Sequence, residues 1–258
     1  MLDWLSPIDY TELQSDTFHK RQKGTGEWFL KSPPFIEWVE GKNKTLFCPG
    51  IPGAGKTMIA SIAVNHLETS FPDDKTGRAF LFCIYKRQDN QKVDDLLSSL
   101  LGQLAVRQSI VPKSIRELYN KHRKGEKPRL SRNEIREELC NITKAYSRTF
   151  IIIDALDECK TDHIRNELLS EIYKLQEGSD TRLMVTFRPN VVPRRPSSVT
   201  EHEILAYKED IEEYLTGRMS ELPSVVQDNN ELQCKIKTHI LNLVDGMYVW
   251  LHPPNLVY

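Results

Sequence analysis

Gly50-Ile51-Pro52-Gly53-Ala54-Gly55-Lys56-Thr57 is a full match to the glycine-rich phosphate-binding pattern G-x-x-x-x-G-K-[ST]. Two fixed glycines, a lysine and a hydroxyl arise by accident in about one chain in 100 of this size, so the match counts only in context. The context fits. Thr45-Leu46-Phe47-Cys48 is a short β-prone apolar run, and Met58 to Leu67 carries apolar residues on one helical face. Strand, glycine loop and helix are what the chemistry needs. Glycines let successive N–H groups point inward, and the helix N-terminus adds partial positive charge. Gly50 to Thr57 are therefore expected to cradle the phosphates of a nucleotide, ATP or GTP. Lys56 would reach the β- and γ-phosphates, and the Thr57 hydroxyl would ligate Mg²⁺.

Holding phosphate is not hydrolysing it. The second half of the expected site is Phe150-Ile151-Ile152-Ile153-Asp154-Ala155-Leu156-Asp157-Glu158. Its apolar run reads as a buried strand with Asp154 at the carboxyl end, the edge where open α/β sheets bind ligands. Asp154 is expected to hold Mg²⁺ beside the glycine loop. Asp157 and Glu158 come one short turn later, where a carboxylate can orient or deprotonate the attacking water, Asp157 being preferred. Arg188, at the end of the strand Arg182 to Phe187, is a candidate for sensing charge on the γ-phosphate.

Around these segments strands alternate with helices. Ala79 to Tyr85 is continuously apolar and reads as a buried strand. Helices are expected at Val93 to Val106, Ser114 to His122, Ser131 to about Tyr146 behind a Ser131/Glu134 capping box, and His163 to Leu175. Pro33-Pro34 starts a helix through Phe35, Ile36, Trp38 and Val39. Residues 1–23 read as polar and irregular, Lys121 to Arg129 as a charged connector, and the Pro/Arg-rich tract to Ser198 as a loop. The pattern implies an α/β fold, a parallel sheet covered by helices on both faces, followed by a small helical subdomain. Its parts are a lead-in segment (1–44), an NTPase core (45–206) and the helical subdomain (207–258).

The chain has 258 residues, 28% of them charged, with a net charge of −1, an ordinary globular balance without the basic excess that nucleic acid favours. No apolar run reaches the roughly 18 residues of a membrane span, and Met1 to Tyr10 lacks the pattern of a secretory signal. Five cysteines without C-x-x-C spacing fit a reducing, cytoplasmic compartment, Cys48 and Cys83 reading as buried thiols. The histidines are scattered and form no metal site.

The strings Gly-Ile-Pro-Gly-Ala-Gly-Lys-Thr, Ile-Ile-Ile-Asp-Ala-Leu-Asp-Glu-Cys and Thr-Phe-Arg-Pro resemble the NACHT NTPases, in particular fungal STAND proteins with a nephrocystin-3-like N-terminal NTPase module. Arg21 to Trp28, Phe35 to Trp38, Asp210 to Tyr214 and Gly246 to Trp250 are similar too, so the resemblance covers nearly the whole chain. It implies phosphate and Mg²⁺ at Gly50 to Thr57, metal at Asp154, hydrolysis at Asp157 and Glu158, and a sensor at Arg188. It further implies a slow ATP- or GTP-dependent switch whose partners are signalling and repeat-bearing proteins. Phe187 departs from the small hydroxyl residue that relatives place before the sensor arginine.

The sequence ends at Tyr258 before any winged-helix region or repeats, which reads as a truncated end. Ile236, Ile240, Leu243, Val244, Met247 and Trp250 recur at helical spacing, and self-association or the docking of a partner through that face is the expectation. The alternative to a switch is a non-catalytic scaffold with nucleotide as a structural ligand.

Overall fold

The computed structural model describes residues 4, 5, 8–85, 92–108, 111–123 and 129–243. Its centre is a five-stranded, wholly parallel sheet. The strands are β1 (Thr45–Pro49), β2 (Thr76–Phe82), β3 (Arg148–Asp154), β4 (Thr181–Phe187) and β5 (Thr200–Glu201), in the order β2-β3-β4-β1-β5. β2 and β4 are buried at every position and β3 at all but its first residue. Strands apolar on both faces require helices on both faces.

Connection handedness says which helix covers which face. The step from β1 to β2, through α4 (Lys56–Ser70), crosses the sheet in one direction. The step from β2 to β3, through α5 (Val93–Val106), α6 (Lys113–Arg123) and α7 (Arg132–Ala145), runs the other way, as does that from β3 to β4 through α8 (Asp162–Gly178). Right-handed crossovers therefore put α4 on one face and α5, α7 and α8 together on the other. The packing agrees: α5, α7 and α8 contact one another, while α4 packs against α1 (Thr11–His19) and α2 (Glu27–Lys31).

The lead-in corrects one expectation. Residues 1–23 are not irregular throughout, for α1 lies within them. Its polar sequence hides its role, since Gln14 docks by side-chain bonding: Gln14 Nε2 donates to Ser61 O (3.2 Å), and Ser61 Oγ donates to Gln14 O (3.1 Å). α3 (Pro33–Glu40) starts as expected, with Ser32 as N-cap and proline in the first turn. Leu5, Tyr10, Phe29, Phe35 and Trp38 all belong to the same buried cluster as the sheet. β2 also begins and ends three residues earlier than its apolar run, because Thr76 and Gly77 pair with Arg148 and Thr149. β5, just beyond the tract read as loop, is a two-residue edge strand on β1.

A second, smaller cluster joins α9 (Lys208–Arg218) to the helices C-terminal to it. Ile211, Leu215 and Met219 are buried there, and Ile236, Ile240 and Leu241 of α11 (Asn230–Leu243) pack on them, past the short α10 (Ser224–Gln227). Two residues of the expected docking face, Ile236 and Ile240, are thus turned inward onto α9. The Leu243 side chain, Val244, Met247 and Trp250 lie outside the described residues. Among those described, no helix is long and apolar enough to cross a membrane.

Phe29 measures how far the lead-in belongs to the core. It is fully buried between Phe35 (5.1 Å between centroids) and His202 (5.4 Å, stacked). Phe29→Ala is expected to cost about 3–5 kcal/mol, as for other buried aromatic truncations. Denaturant melts reading less than about 1 kcal/mol would show that the lead-in is peripheral.

Candidate functional site

The turn from β1 into α4 is shaped by three glycines for two reasons. Gly53 (φ 78°) and Gly55 (φ 91°) occupy the left-handed region, which strains any residue with a Cβ. Gly50 is needed for space: a Cβ there would lie 2.8 Å from the Ile204 carbonyl oxygen and 3.2 Å from Lys56 Cγ. Ala54 is buried and Ile51 packs on the core, so these two anchor the loop while its backbone lines a cleft. α4 begins at Lys56 with no side chain capping it, which leaves its N-terminal N–H groups and partial positive charge at that cleft.

Sheet order puts β4 between β3 and β1, and Asp154 reaches across it to the end of the glycine loop, where it is hydrogen-bonded by Thr57. The intervening strand supplies a residue that the sequence reading passed over. Thr186, fully buried, donates to Asp154 Oδ1 (2.6 Å) and accepts the Ala155 N–H (2.9 Å). The signal was the string Thr-Phe-Arg-Pro, where attention fell on Phe187. Strand alternation sends Phe187 into the core against Phe47 (5.4 Å) and turns the Thr186 hydroxyl to the site.

Asp154 is 2% exposed, and burial pushes its pKa up from 3.8 to about 6, against hydrogen bonds from Thr186 and Thr57 and the charge of Lys56. Lys56 is in turn held below its ordinary value by burial, against the pull of Asp157 and Asp154. Its Nζ does not project freely into the cleft but donates to the carbonyls of Gly50 (2.7 Å) and Ile51 (2.9 Å).

After Asp154 the chain passes through Ala155, the one described non-glycine residue with positive φ (52°), into a 3₁₀ turn, Leu156–Glu158. The turn presents both acids. Arg188 grips Asp157 twice, through Nε to Oδ2 (2.9 Å) and backbone N to Oδ1 (3.1 Å), and the Asp157 side chain is 5% exposed. Glu158, 29% exposed, lies 3.7 Å from Arg188 Nη2 and accepts the Tyr85 N–H on Oε2 (2.9 Å). A cleft of about 450 Å³ is lined by Lys56, Thr57, Asp157, Glu158 and Arg188, with Pro52, Gly53 and Gly55 from the loop. Residues about a hundred positions apart are thus brought together, with Asp154 behind them.

A second cavity, about 520 Å³, shares Gly55 and Met58 with the first and opens between the lead-in and α9. Trp28, Ile59 and Tyr214 give it apolar walls. Its two sides are pinned by Asp210, whose Oδ2 accepts from the Gly26 N–H (2.8 Å) and Trp28 Nε1 (3.0 Å). Sequence reading did not single out Asp210 for this task, since its partners lie 182 and 184 residues away.

These residues fit a phosphate chain and a hard divalent cation. The loop offers an ammonium group, left-handed glycines and an uncapped helix start, and Thr57 and Asp154 are hydrogen-bonded oxygen donors. Among the described residues no group of three or more His, Cys, Asp or Glu side chains forms a metal cage. The Thr57 and Asp154 oxygens suit Mg²⁺, which takes one or two protein oxygens and fills its octahedron with phosphates and water.

A family model described as nephrocystin 3, N-terminal, matches residues 24–188. The vegetative incompatibility protein HET-E-1 of Podospora anserina is 23% identical over 241 residues, covering 87% of this chain and 17% of that protein, so the chain spans a small part of that relative. Among solved structures, the Walker-type ATPase paby2304 of Pyrococcus abyssi has a TM-score of 0.53 at 15% identity, covering 90% of this chain and 67% of that one. Cdc6p of Pyrobaculum aerophilum has a TM-score of 0.48 at 15% identity, covering 82% and 53%. The Pyrococcus likeness establishes the fold, an α/β P-loop NTPase fold.

The raised Asp154 pKa gives a prediction of definite sign. Below about pH 4 folded and unfolded chains both carry its proton; toward pH 6 only the folded chain keeps it, so stability falls over that window and stays lower above it. Asp154→Asn has no such charge to bury. In nucleotide-free buffer with chelator, the variant is expected to be more stable than wild type near about pH 7.5, by up to about 3 kcal/mol, with the gap narrowing toward about pH 5. A variant less stable at both pH values would overturn this account of the buried charge.

Proposed function

The chain belongs to the nephrocystin 3, N-terminal family, and from that premise we propose that it is a nucleotide-binding module that holds Mg·ATP or Mg·GTP and hydrolyses it slowly. The observation that carries the reading is the meeting of Lys56, Thr57, Asp157, Glu158 and Arg188 in one cleft, with Asp154 behind it.

In this reading a nucleotide lies across the glycine loop, its phosphates in the cleft and its base in the cavity between lead-in and α9, since the two share Gly55 and Met58. Lys56 leaves the Gly50 and Ile51 carbonyls for phosphate oxygens, exchanging neutral acceptors for charged ones that bond about twice as strongly. Thr57 and Asp154 would hold the metal, and the Thr186 hydroxyl orients the Asp154 carboxylate. Mg²⁺, when bound, neutralises charge on the phosphates.

The two acids divide the remaining work. Asp157 has both oxygens engaged by Arg188, so its part is to position that guanidinium beside the phosphates. Glu158, more exposed at the cleft, orients the attacking water and accepts its proton, which reverses the preference drawn from sequence. Because α9 walls the base cavity, nucleotide state is proposed to govern the posture of the helical piece behind it. Further copies of the chain, or repeat-bearing and signalling proteins, would read that posture.

Lys56→Ala is expected to weaken fluorescent-nucleotide binding at least about tenfold while the chain still unfolds cooperatively. Glu158→Gln should retain binding and slow single-turnover phosphate release by about 10²-fold or more. Asp157→Asn should slow release as well, with the loss partly shared by nucleotide affinity as Arg188 comes loose. Undiminished release in Glu158→Gln sinks the division of roles. Tight binding by a wild type that releases no phosphate favours the scaffold reading instead.

A further inference from the structure

The acidic motif ends in Cys159, a residue without a task in the proposed hydrolysis. Its Sγ lies 3.4 Å from that of Cys83, and the two residues are 2% and 3% exposed. They occupy the two segments that meet at Glu158. Cys159 is the next residue after Glu158, and Cys83 stands two residues before Tyr85, whose N–H donates to the Glu158 carboxylate. The anchoring is unequal. Cys83 extends the sheet, its N–H donating to the Asp154 carbonyl (3.0 Å), whereas Cys159 ends a three-residue 3₁₀ turn and is held from outside it by a side chain, Arg165 Nη1 donating to its carbonyl (2.9 Å).

We propose that Cys83 and Cys159 are a redox pair, joined reversibly by a hydroperoxide into a disulfide that shifts the Asp157–Glu158 turn and slows hydrolysis. The effect on hydrolysis rests on the proposed NTPase function; the disulfide and the shift do not. A disulfide bond is about 2.05 Å long, so the sulfurs must close by more than about 1 Å. With Cys83 held by the sheet, the turn is the part that yields, and it carries both acids.

The chemistry balances. One sulfur attacks a peroxide oxygen, the O–O bond breaks, and a sulfenic acid and water result. The second sulfur displaces the sulfenic oxygen as a second water, forming the S–S bond. Two thiols lose two electrons, hydrogen peroxide gains them, and both thiol protons end in water. Burial excludes bulky oxidants and keeps the thiols slow to react, which favours a small peroxide and prolonged exposure.

The test treats the full chain with hydrogen peroxide, blocks remaining thiols, and maps peptides by mass. The expected result is a linked peptide pair containing Cys83 and Cys159, lighter by two hydrogen atoms. Of the five free cysteines, three should remain alkylatable, and dithiothreitol should restore all five. Amide hydrogen exchange across 155–160 should change with the link, and phosphate release should fall by about a hundredfold and recover on reduction. Cys83→Ala and Cys159→Ala should each abolish the link and the peroxide sensitivity. Both cysteines still alkylated, oxidation to sulfinic acid without a link, or a link that alters neither exchange nor turnover overturns the proposal. If the reduced chain shows no turnover, the functional reading fails, while mass and exchange still decide this one.

Discussion

A carboxylate at the end of a buried strand is the constraint on which this structure turns. β3 is buried to its last residue, and Asp154 ends it with 2% exposure. A charge in that position is costly unless hydrogen bonds and an opposite charge answer it. Thr186 answers from β4, and Thr57 and Lys56 answer from the start of α4. Three segments distant in sequence are therefore tied to one side chain. Burial still holds its pKa up at about 6, so the compensation is incomplete.

The same economy of charge runs through the rest of the cleft. Lys56 satisfies its ammonium on the loop's own carbonyls, and Arg188 satisfies its guanidinium on Asp157. Cations and acids are thus paired among themselves, and in the proposed function they exchange these partners for a polyanion and its metal. Exchange of one set of hydrogen bonds for another costs less than desolvating bare charges, so the cleft can be preorganised and still open to ligand.

Around it, the glycine loop forms the seam between parts. Leu5, Tyr10, Phe29, Phe35 and Trp38 are core residues as much as those of the sheet. α9 belongs to a separate small cluster, yet Asp210 fastens it to Gly26 and Trp28 beside the loop. The second cavity is bounded by both, which gives any ligand there contact with the sheet module and the helical piece at once.

Short-range pattern determined much of this. A phosphate-binding glycine loop sits between a strand and a helix, and a β-branched run such as Phe150 to Ile153, closed by an acid, reads as a buried strand in the same chain; both are largely local consequences of backbone geometry. The fold class could be read on that basis, as could the segments that bring Lys56, Thr57, Asp157, Glu158 and Arg188 to one cleft. What the tertiary structure alone decided depends on sequence-distant pairing. Only strand order shows that β4 separates β1 from β3, which makes Thr186, not Phe187, the residue facing Asp154. Only three-dimensional proximity shows that Asp157 is committed to Arg188, that Gln14 makes a polar segment a docked helix, and that Cys83 meets Cys159 across 76 residues. Hydrogen bonds and sulfur contacts of this kind leave no periodicity in a sequence, because they relate single side chains rather than faces.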